Sequence, residues 1–544
     1  MRVPARSLVA TGLLAGAIVW LPAALLALHD PWAAAFGVPD LGVLVLGLLG
    51  LAAARPEVAR TRATRIVLVG LWAVFALFGL AWAASLVATE ERLPFYDLLL
   101  LTQPVSVFVA DLYGSWAPWA IVVGGLGVAA GLLGLTGRGF RRLAEVSDVG
   151  SRRLVTAIAG VAVVLGTMVS GPWTPRIVAD LTESIALRSQ VQAGLASRSE
   201  LATRSLTVRP DVRLYVVESY GDVLLEAPIG DAHRALLAEL DGPLRQAGWF
   251  VASGRAISPT HGGRSWLADA TVLTGIEVAR QATFGHVTRR GRDIPSLPRF
   301  FAERGYATVL VRPKDRARPG VRLVNHFGFE TTVFHDELAY DGPAVGWGHV
   351  PDQFTVEVVE RDVLAAIDRP RFAFVHLATS HYPWGDPPPL LDDARDWQSA
   401  DGDRGPVIRD RTPLFALQMT LSRYRGSRRA LRDRYGSDLG AFQALVGYDL
   451  QLLAQTFAAP TRPTLMLWYG DHQPPFLAEG QPADSVVHVL ATDPEWLRPF
   501  LDDGFRTGLD PGPRQRTSLH FRDLFERITR ALGDPARRGG PPGE

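Results

Sequence analysis

Four runs of the 544-residue chain carry side chains that could do chemistry together. VVESYGD puts Glu218 at the end of an apolar run, and LWYGDHQPP puts Asp471 and His472 side by side after another. SPTHGGRSWLADATVLTG sets Ser265 behind a Gly-Gly turn, where a helix can start, and HLATSHYPW supplies His376 and His381. Taken singly, each has an ordinary explanation. An acid at a strand tip often caps a helix, a serine before a helix is commonly its N-cap, and a lone histidine is usually a satisfied polar residue. Together they are more specific. Two carboxylates and an imidazole converging beside a hydroxyl describe a site for a hard-to-borderline divalent cation, and a cation next to a serine oxygen favours the alkoxide, a strong nucleophile. Such a donor set accepts Mn or Mg, and Zn equally if further histidines join. Arg312, Lys314, Arg316 and Arg318 form a basic run after a further apolar segment, and Arg264 precedes Ser265. These could hold a phosphate-bearing head group, or line a solvated loop.

The elements that must position these residues are short, β-branched and aromatic runs alternating with helical stretches. Strands are expected at 212–217, 248–252, 307–311, 371–378, 464–469 and 486–491, and helices at 231–246, 265–274, 295–304, 353–367 and 440–457. Nearly continuous hydrophobicity in the strands signals a sheet covered on both faces, and the alternation signals an α/β sandwich around a mostly parallel sheet. In such sheets the site forms just past the carboxyl ends of the strands, which is where Glu218, His376, His381, Asp471 and His472 fall.

In that order, VVESYGD, GGRSWLADATVLTG, SHYPW and YGDHQPP resemble the sulfatase-type alkaline phosphatase superfamily. The resemblance is to its membrane-anchored members, the lipoteichoic acid synthases, phosphoethanolamine transferases and periplasmic-glucan phosphoglycerol transferases. It implies an alkaline-phosphatase-like fold with Glu218, Asp471 and His472 as metal ligands and Ser265 as nucleophile and further ligand. The register is set by the VLTG that follows Ser265. It also implies that His381 contacts the substrate phosphate or leaving group. His376 and His488 become candidates for a second metal, whose presence stays open. Two departures stand out. The lipid-phosphate transferases usually carry Thr where this chain has Ser265. Ser265 is followed by Trp266, Leu267, Ala268 and Asp269, without the x-Pro-x-Arg needed for formylglycine conversion, which argues against a formylglycine sulfatase.

The first third of the chain has another chemistry. Apolar segments at roughly 7–28, 36–54, 66–88, 117–136 and 154–171 are each about long enough to span a bilayer. Arg2 and Arg6, then Arg55, Arg60, Arg62 and Arg65, then Arg138, Arg141, Arg142, Arg152 and Arg153 all fall on one side of that arrangement. The positive-inside rule puts that side in the cytoplasm and everything after Trp173 outside. Segment 93–113 is too polar for a span, and 176–191 has the pattern of an amphipathic helix on the outer leaflet or of a packed linker. The expected organisation is a five-helix transmembrane region (1–175), a juxtamembrane linker (176–205), an extracytoplasmic catalytic domain (206–530) and a disordered tail (531–544).

With no cysteine, the chain has no disulfide, iron–sulfur cluster, Cys-ligated zinc or cysteine nucleophile, and a net charge of +1 gives no sign of nucleic-acid binding. The expected function is a metal-dependent phosphotransferase of the inner membrane. It would move a phosphoglycerol- or phosphoethanolamine-type head group from a membrane-lipid donor, through a seryl intermediate, to a cell-envelope glycan or lipid. A phosphodiesterase, phosphatase or sulfatase-type hydrolase on the same fold, and an inactive membrane receptor or scaffold, are the rival readings.

Overall fold

The computed structural model describes residues 204–288, 294–316, 323–343, 350–382, 384–399, 439–475, 482–514 and 519–533, with short stretches and single positions elsewhere. The chain divides into two units, residues 1–186 with 412–429 and residues 187–411 with 430–544. The five expected spans and most of 176–191 lie outside the described residues. Among the described residues, no helix is long and apolar enough to cross a membrane.

The second unit is built on an eight-stranded sheet. Its strands are β1 (Asp211–Val217), β2 (Phe250–Ile257), β3 (Ala307–Arg312), β4 (Thr331–Phe334), β5 (Arg371–His376), β6 (Thr464–Gly470), β7 (Asp484–Ala491) and β8 (Arg506–Thr507), in spatial order β8-β2-β7-β6-β1-β5-β3-β4. The run from β6 to β4 is parallel, and β7, β2 and β8 extend it by antiparallel pairing. Every residue of β1, β5, β6 and β7 is buried, as expected for strands covered on both faces.

The pleat of β1 sorts its side chains between two cores. Val212, Leu214 and Val216 face one core, with residues of α2 (Ser265–Thr274), α4 (Leu297–Ala302) and α7 (Phe521–Ala531). Tyr215 and Val217 face the other, with residues of α1 (Gly230–Gln246), α5 (Asp352–Val358) and α6 (Leu439–Thr456). Helix α3 (Gln281–Thr288) follows α2.

Four expectations change. The strand expected at 248–252 runs from Phe250 to Ile257. The helix expected at 353–367 is α-helical only to Val358 and continues as a π-turn over Val359–Leu364. The strand expected to reach 378 ends at His376, because Ala378 and Thr379 turn their N–H groups onto Asp352. Ala531, Leu532 and Gly533 are not part of a disordered tail. All three are buried, Leu206 bridges to Gly533, and the rest of the tail lies outside the described residues.

Candidate active site

Strand register creates the heart of the site. Val217 of β1 pairs with Gly470 of β6, so the next residues, Glu218 and Asp471, leave the sheet side by side at its carboxyl edge. His472 follows. Glu218, Asp471 and His472 are 2 %, 0 % and 1 % exposed, and each turns a ligand atom within 4.8 Å of the others. Two glycines allow this approach. A Cβ on Gly470 would lie 1.9 Å from the carbonyl oxygen of Tyr220, and one on Gly221 would lie 1.9 Å from Oε1 of Gln473. The glycines of ESYGD and YGDHQ are therefore contact points between the two motifs.

Local hydrogen bonds aim each donor atom. Oδ1 of Asp471 accepts the backbone N–H groups of Ser219 at 2.7 Å and His472 at 2.9 Å. Oδ2 is buried with no hydrogen-bond partner among the described residues. His472 Nδ1 lies 2.9 Å from the Gln473 carbonyl, so it carries the proton and Nε2 presents its lone pair. That same carbonyl accepts the N–H of Gly262, which ties the serine loop to the histidine loop.

Ser265 arrives on a strained turn. Gly262, Gly263 and Arg264 have φ of 67°, 138° and 69°. Arg264, a non-glycine residue held in the left-handed region, is the N-cap of α2, and it makes no side-chain capping bond. Ser265 is the first helical residue rather than the cap. Its Oγ lies 3.4 Å from His472 Nε2. Helix α2 ends at Thr274 with Gly275 in the left-handed conformation at φ 67°, so the LTG of the motif is a helix stop that fixes the length of α2 behind the serine.

The donors fit a divalent cation. His472 Nε2 is 3.5 Å from Glu218 Oε1, 3.3 Å from Asp471 Oδ2 and 3.4 Å from Ser265 Oγ. Edges of about 3.3–3.4 Å separate the ligands of a tetrahedral ion with bonds of about 2.0–2.1 Å. The unpartnered buried Oδ2 of Asp471 is the kind of atom that a cation satisfies.

Charge around the cluster is organised. Lys314 Nζ donates to the other Glu218 oxygen, Oε2. Burial alone would raise the Glu218 carboxyl, but Lys314, then His381 and His472, hold it well below the usual carboxylate range. Burial works against the Lys314 ammonium too, and Glu218 and Asp471 outweigh it, keeping its pKa above the ordinary value. His381 feels the same cluster. Burial dominates and lowers its pKa, and its Nδ1 donates to the Tyr382 carbonyl, so in the neutral form the lone pair is on Nε2.

Several sequence candidates prove to have other partners. His376 Nε2 is 2.7 Å from Asp269 Oδ1, and Arg312 engages Oδ2 of the same carboxylate as well as Asp315 at 3.3 Å. His376 therefore anchors α2 one turn past Ser265 and is not in the ligand cluster. His488 is also outside it. Its Nδ1 is 2.7 Å from Ser253 Oγ and its Nε2 is 2.9 Å from Tyr220 OH, which also meets His233, and burial lowers His488 to about 3. Of the expected head-group cations, Arg312 and Lys314 are thus engaged by Asp269 and Glu218. Arg316 contacts His335, and Arg318 lies outside the described residues. Sequence reasoning missed Asp269, Asp352, Ser380 and Asp449. For Asp269 the signal was present: it stands four residues after Ser265, on the same helix face.

A hydroxyl at a helix start thus lies beside two carboxylates and an imidazole that could hold a divalent cation. Residues 256–501 match the family model described as Sulfatase. This segment is a sulfatase-family domain of the alkaline phosphatase/sulfatase superfamily. Similar solved structures include an alkaline phosphatase superfamily protein from Vibrio parahaemolyticus, with 14 % identity over 61 % of this chain and 79 % of that one and a TM-score of 0.35. The Streptococcus pyogenes phosphoglycerol transferase GacH, in complex with sn-glycerol-1-phosphate, has 13 % identity over 63 % and 82 % with a TM-score of 0.33. The lipooligosaccharide phosphoethanolamine transferase A from Neisseria meningitidis, an integral membrane protein, has 10 % identity over 94 % and 95 % with a TM-score of 0.37. No curated protein matches the chain.

Proposed function

We propose that this enzyme is a metal-dependent phosphotransferase of the cell envelope, working outside the cytoplasm on a membrane-lipid donor. The observation that carries the reading is Ser265 Oγ at 3.4 Å from His472 Nε2, beside the buried Glu218–Asp471 pair. Glu218, Asp471, His472 and Ser265 would hold one divalent cation. When bound, it lowers the pKa of the serine hydroxyl and offsets charge on the phosphoryl oxygens.

The remaining chemistry belongs to the chain. The Ser265 proton passes to neutral His381. Oγ then forms a bond to phosphorus as the ester P–O bond of the donor breaks, and His381 returns the proton to the departing alcohol. In the second half, an acceptor hydroxyl gives its proton to His381 and attacks the same phosphorus. The Oγ–P bond breaks, and Ser265 recovers its proton. Asp269, held by His376 and Arg312, fixes the helix that carries Ser265.

A lipid donor is favoured by the apolar first third, with its one-sided arginines, and a glycan or lipid of the envelope is the matching acceptor. The test is peptide mass analysis of Ser265 after incubation with membrane lipids. A phospho-head-group adduct on Ser265 is expected, and its mass names the group. Turnover with no adduct under rapid quench, and release to water regardless of acceptor, would replace transfer by direct hydrolysis.

A further inference from the structure

Behind the site, α5 and α6 bring two carboxyls into contact in the core. Asp352 and Asp449 are both 0 % exposed and meet at the Ala378–Ser380 turn, where each carboxyl feels the other. Two neighbouring buried carboxylates cannot both be charged there without a cation, and the largest influences on them are burial, each other and hydrogen bonds, with no Arg or Lys among them. Asp449 faces Asp352 of α5, Ser380 of the loop after β5 and Glu218 at the end of β1, and Tyr448 lies beside it on its own helix. Asp352 accepts the N–H of Ala378 at 2.8 Å on each oxygen and that of Thr379 at 2.6 Å. Asp449 Oδ1 has no donor among the described residues, and its Oδ2 is 2.7 Å from Ser380 Oγ. The Ser380 hydroxyl is in turn 2.8 Å from the main-chain carbonyl of Glu218. The Ala378–His381 turn closes with the N–H of His381 on the Ala378 carbonyl at 3.0 Å.

We propose that Asp352 and Asp449 share one proton, and that this pair positions the Ala378–His381 turn against Glu218, setting both the carboxylate ligand and the His381 imidazole. Geometry assigns the charge to Asp352, which collects backbone N–H groups, and the proton to Asp449, which has none. Burial raises both carboxyls, but the Thr379 and Ala378 N–H groups pull Asp352 back down, whereas the Asp352 charge pushes Asp449 well above its ordinary range, in agreement with that assignment. Neither residue touches substrate, so both are positioning residues. The inference rests on the reading of Glu218 and His381 given above.

Asparagine separates the two roles. At Asp449 its amide supplies the same hydrogen to Asp352. At Asp352 its NH2 would confront backbone N–H groups. The experiment uses the full chain in detergent, a chromogenic phosphodiester for turnover, manganese alone for calorimetry, and melting temperature across pH. Asp449→Asn is expected to stay within about threefold of wild-type turnover at neutral pH and to lose the alkaline fall in rate that deprotonation of the pair causes. Asp449→Ala and Asp352→Asn are expected to lose roughly 100-fold, the scale of a misplaced catalytic group, while still binding manganese. Asp449→Asn as impaired as Asp449→Ala, or an alkaline limb unmoved by it, would overturn the proposal. If the wild type turns over no phosphodiester, only the phosphotransfer reading fails, and melting decides the pair. A group with a raised folded pKa stabilises below its unfolded value and loses that contribution as pH rises through the folded one. The wild type should therefore lose stability towards alkaline pH where Asp449→Asn does not, and parallel curves would count against proton sharing.

Discussion

On the proposed function the chemistry turns on Ser265 and His472, and substitutions divide their roles. Ser265→Ala should lower turnover by about a thousandfold or more while manganese still binds, since Glu218, Asp471 and His472 remain. Ser265→Thr should keep part of the rate, because the oxygen stays on the first residue of α2. Calorimetry beside turnover checks both, and an active Ser265→Ala would move the nucleophile elsewhere, first to buried Thr260. Asp471→Asn and His472→Ala should instead lose the metal, because an amide oxygen carries no charge and Ala offers no lone pair. Full metal occupancy in both would mean that the pair only caps its loop. All four residues were legible in the sequence, because each sits where an apolar run or a glycine turn stops abruptly. The partners of the candidate cations were not. Nothing in the sequence shows that Lys314 reaches Glu218 or that Arg312 reaches Asp269, since sequence gives charge and approximate place but not which carboxylate lies across a sheet edge.

Among the elements, the six inner strands could be read from their apolar runs because both faces are covered. Two edge strands escaped. Thr331–Phe334 has an exposed start, and Arg506–Thr507 is two exposed residues, so neither carries a hydrophobic signature. Helix α7 was readable and absent from the expectations. Phe521, Leu524, Phe525 and Ile528 have helical spacing, and His520 with Asp523 forms its capping box. The interlock of the β1 and β6 turns gives the sharpest test at this scale. Gly470→Ala drives a Cβ into the Tyr220 carbonyl, so it should destabilise the domain by about 2–4 kcal/mol and weaken metal binding. Gly242→Ala, which meets nothing within 4 Å, should be tolerated, and equal melting temperatures for the two variants would refute the interlock. The buried Ser253–His488–Tyr220–His233 chain predicts a pH effect. Burial lowers His488 to about 3 and His233 to about 4, so both fold as neutral rings. Their stabilisation is present above the unfolded value of 6.5 and is lost as pH falls through that window. His488→Gln should flatten the acid side of the melting profile, and an unchanged slope would contradict this.

For the whole molecule, the sequence separates an apolar, arginine-alternating first third from the sandwich that carries the site, and the sandwich is the part the described residues cover. The orientation drawn from those arginines makes its own prediction. A reporter fused after Trp173 should be active outside the cytoplasm, and activity only inside would remove the reason for a lipid donor.

The contact between Lys314 and Glu218 also sets an order of events. The carboxylates of Glu218 and Asp471 and the ammonium of Lys314 together leave one formal negative charge in a desolvated site. A phosphate diester approaching that site is repelled, and a divalent cation turns the balance positive. On the proposed function, loading would then be sequential, cation before anion. Inorganic phosphate should bind at least about tenfold more tightly once manganese is present. Lys314→Met should pull the two affinities apart, tightening manganese and weakening phosphate. A residue that merely packs beside Glu218 would move neither, or both in the same direction.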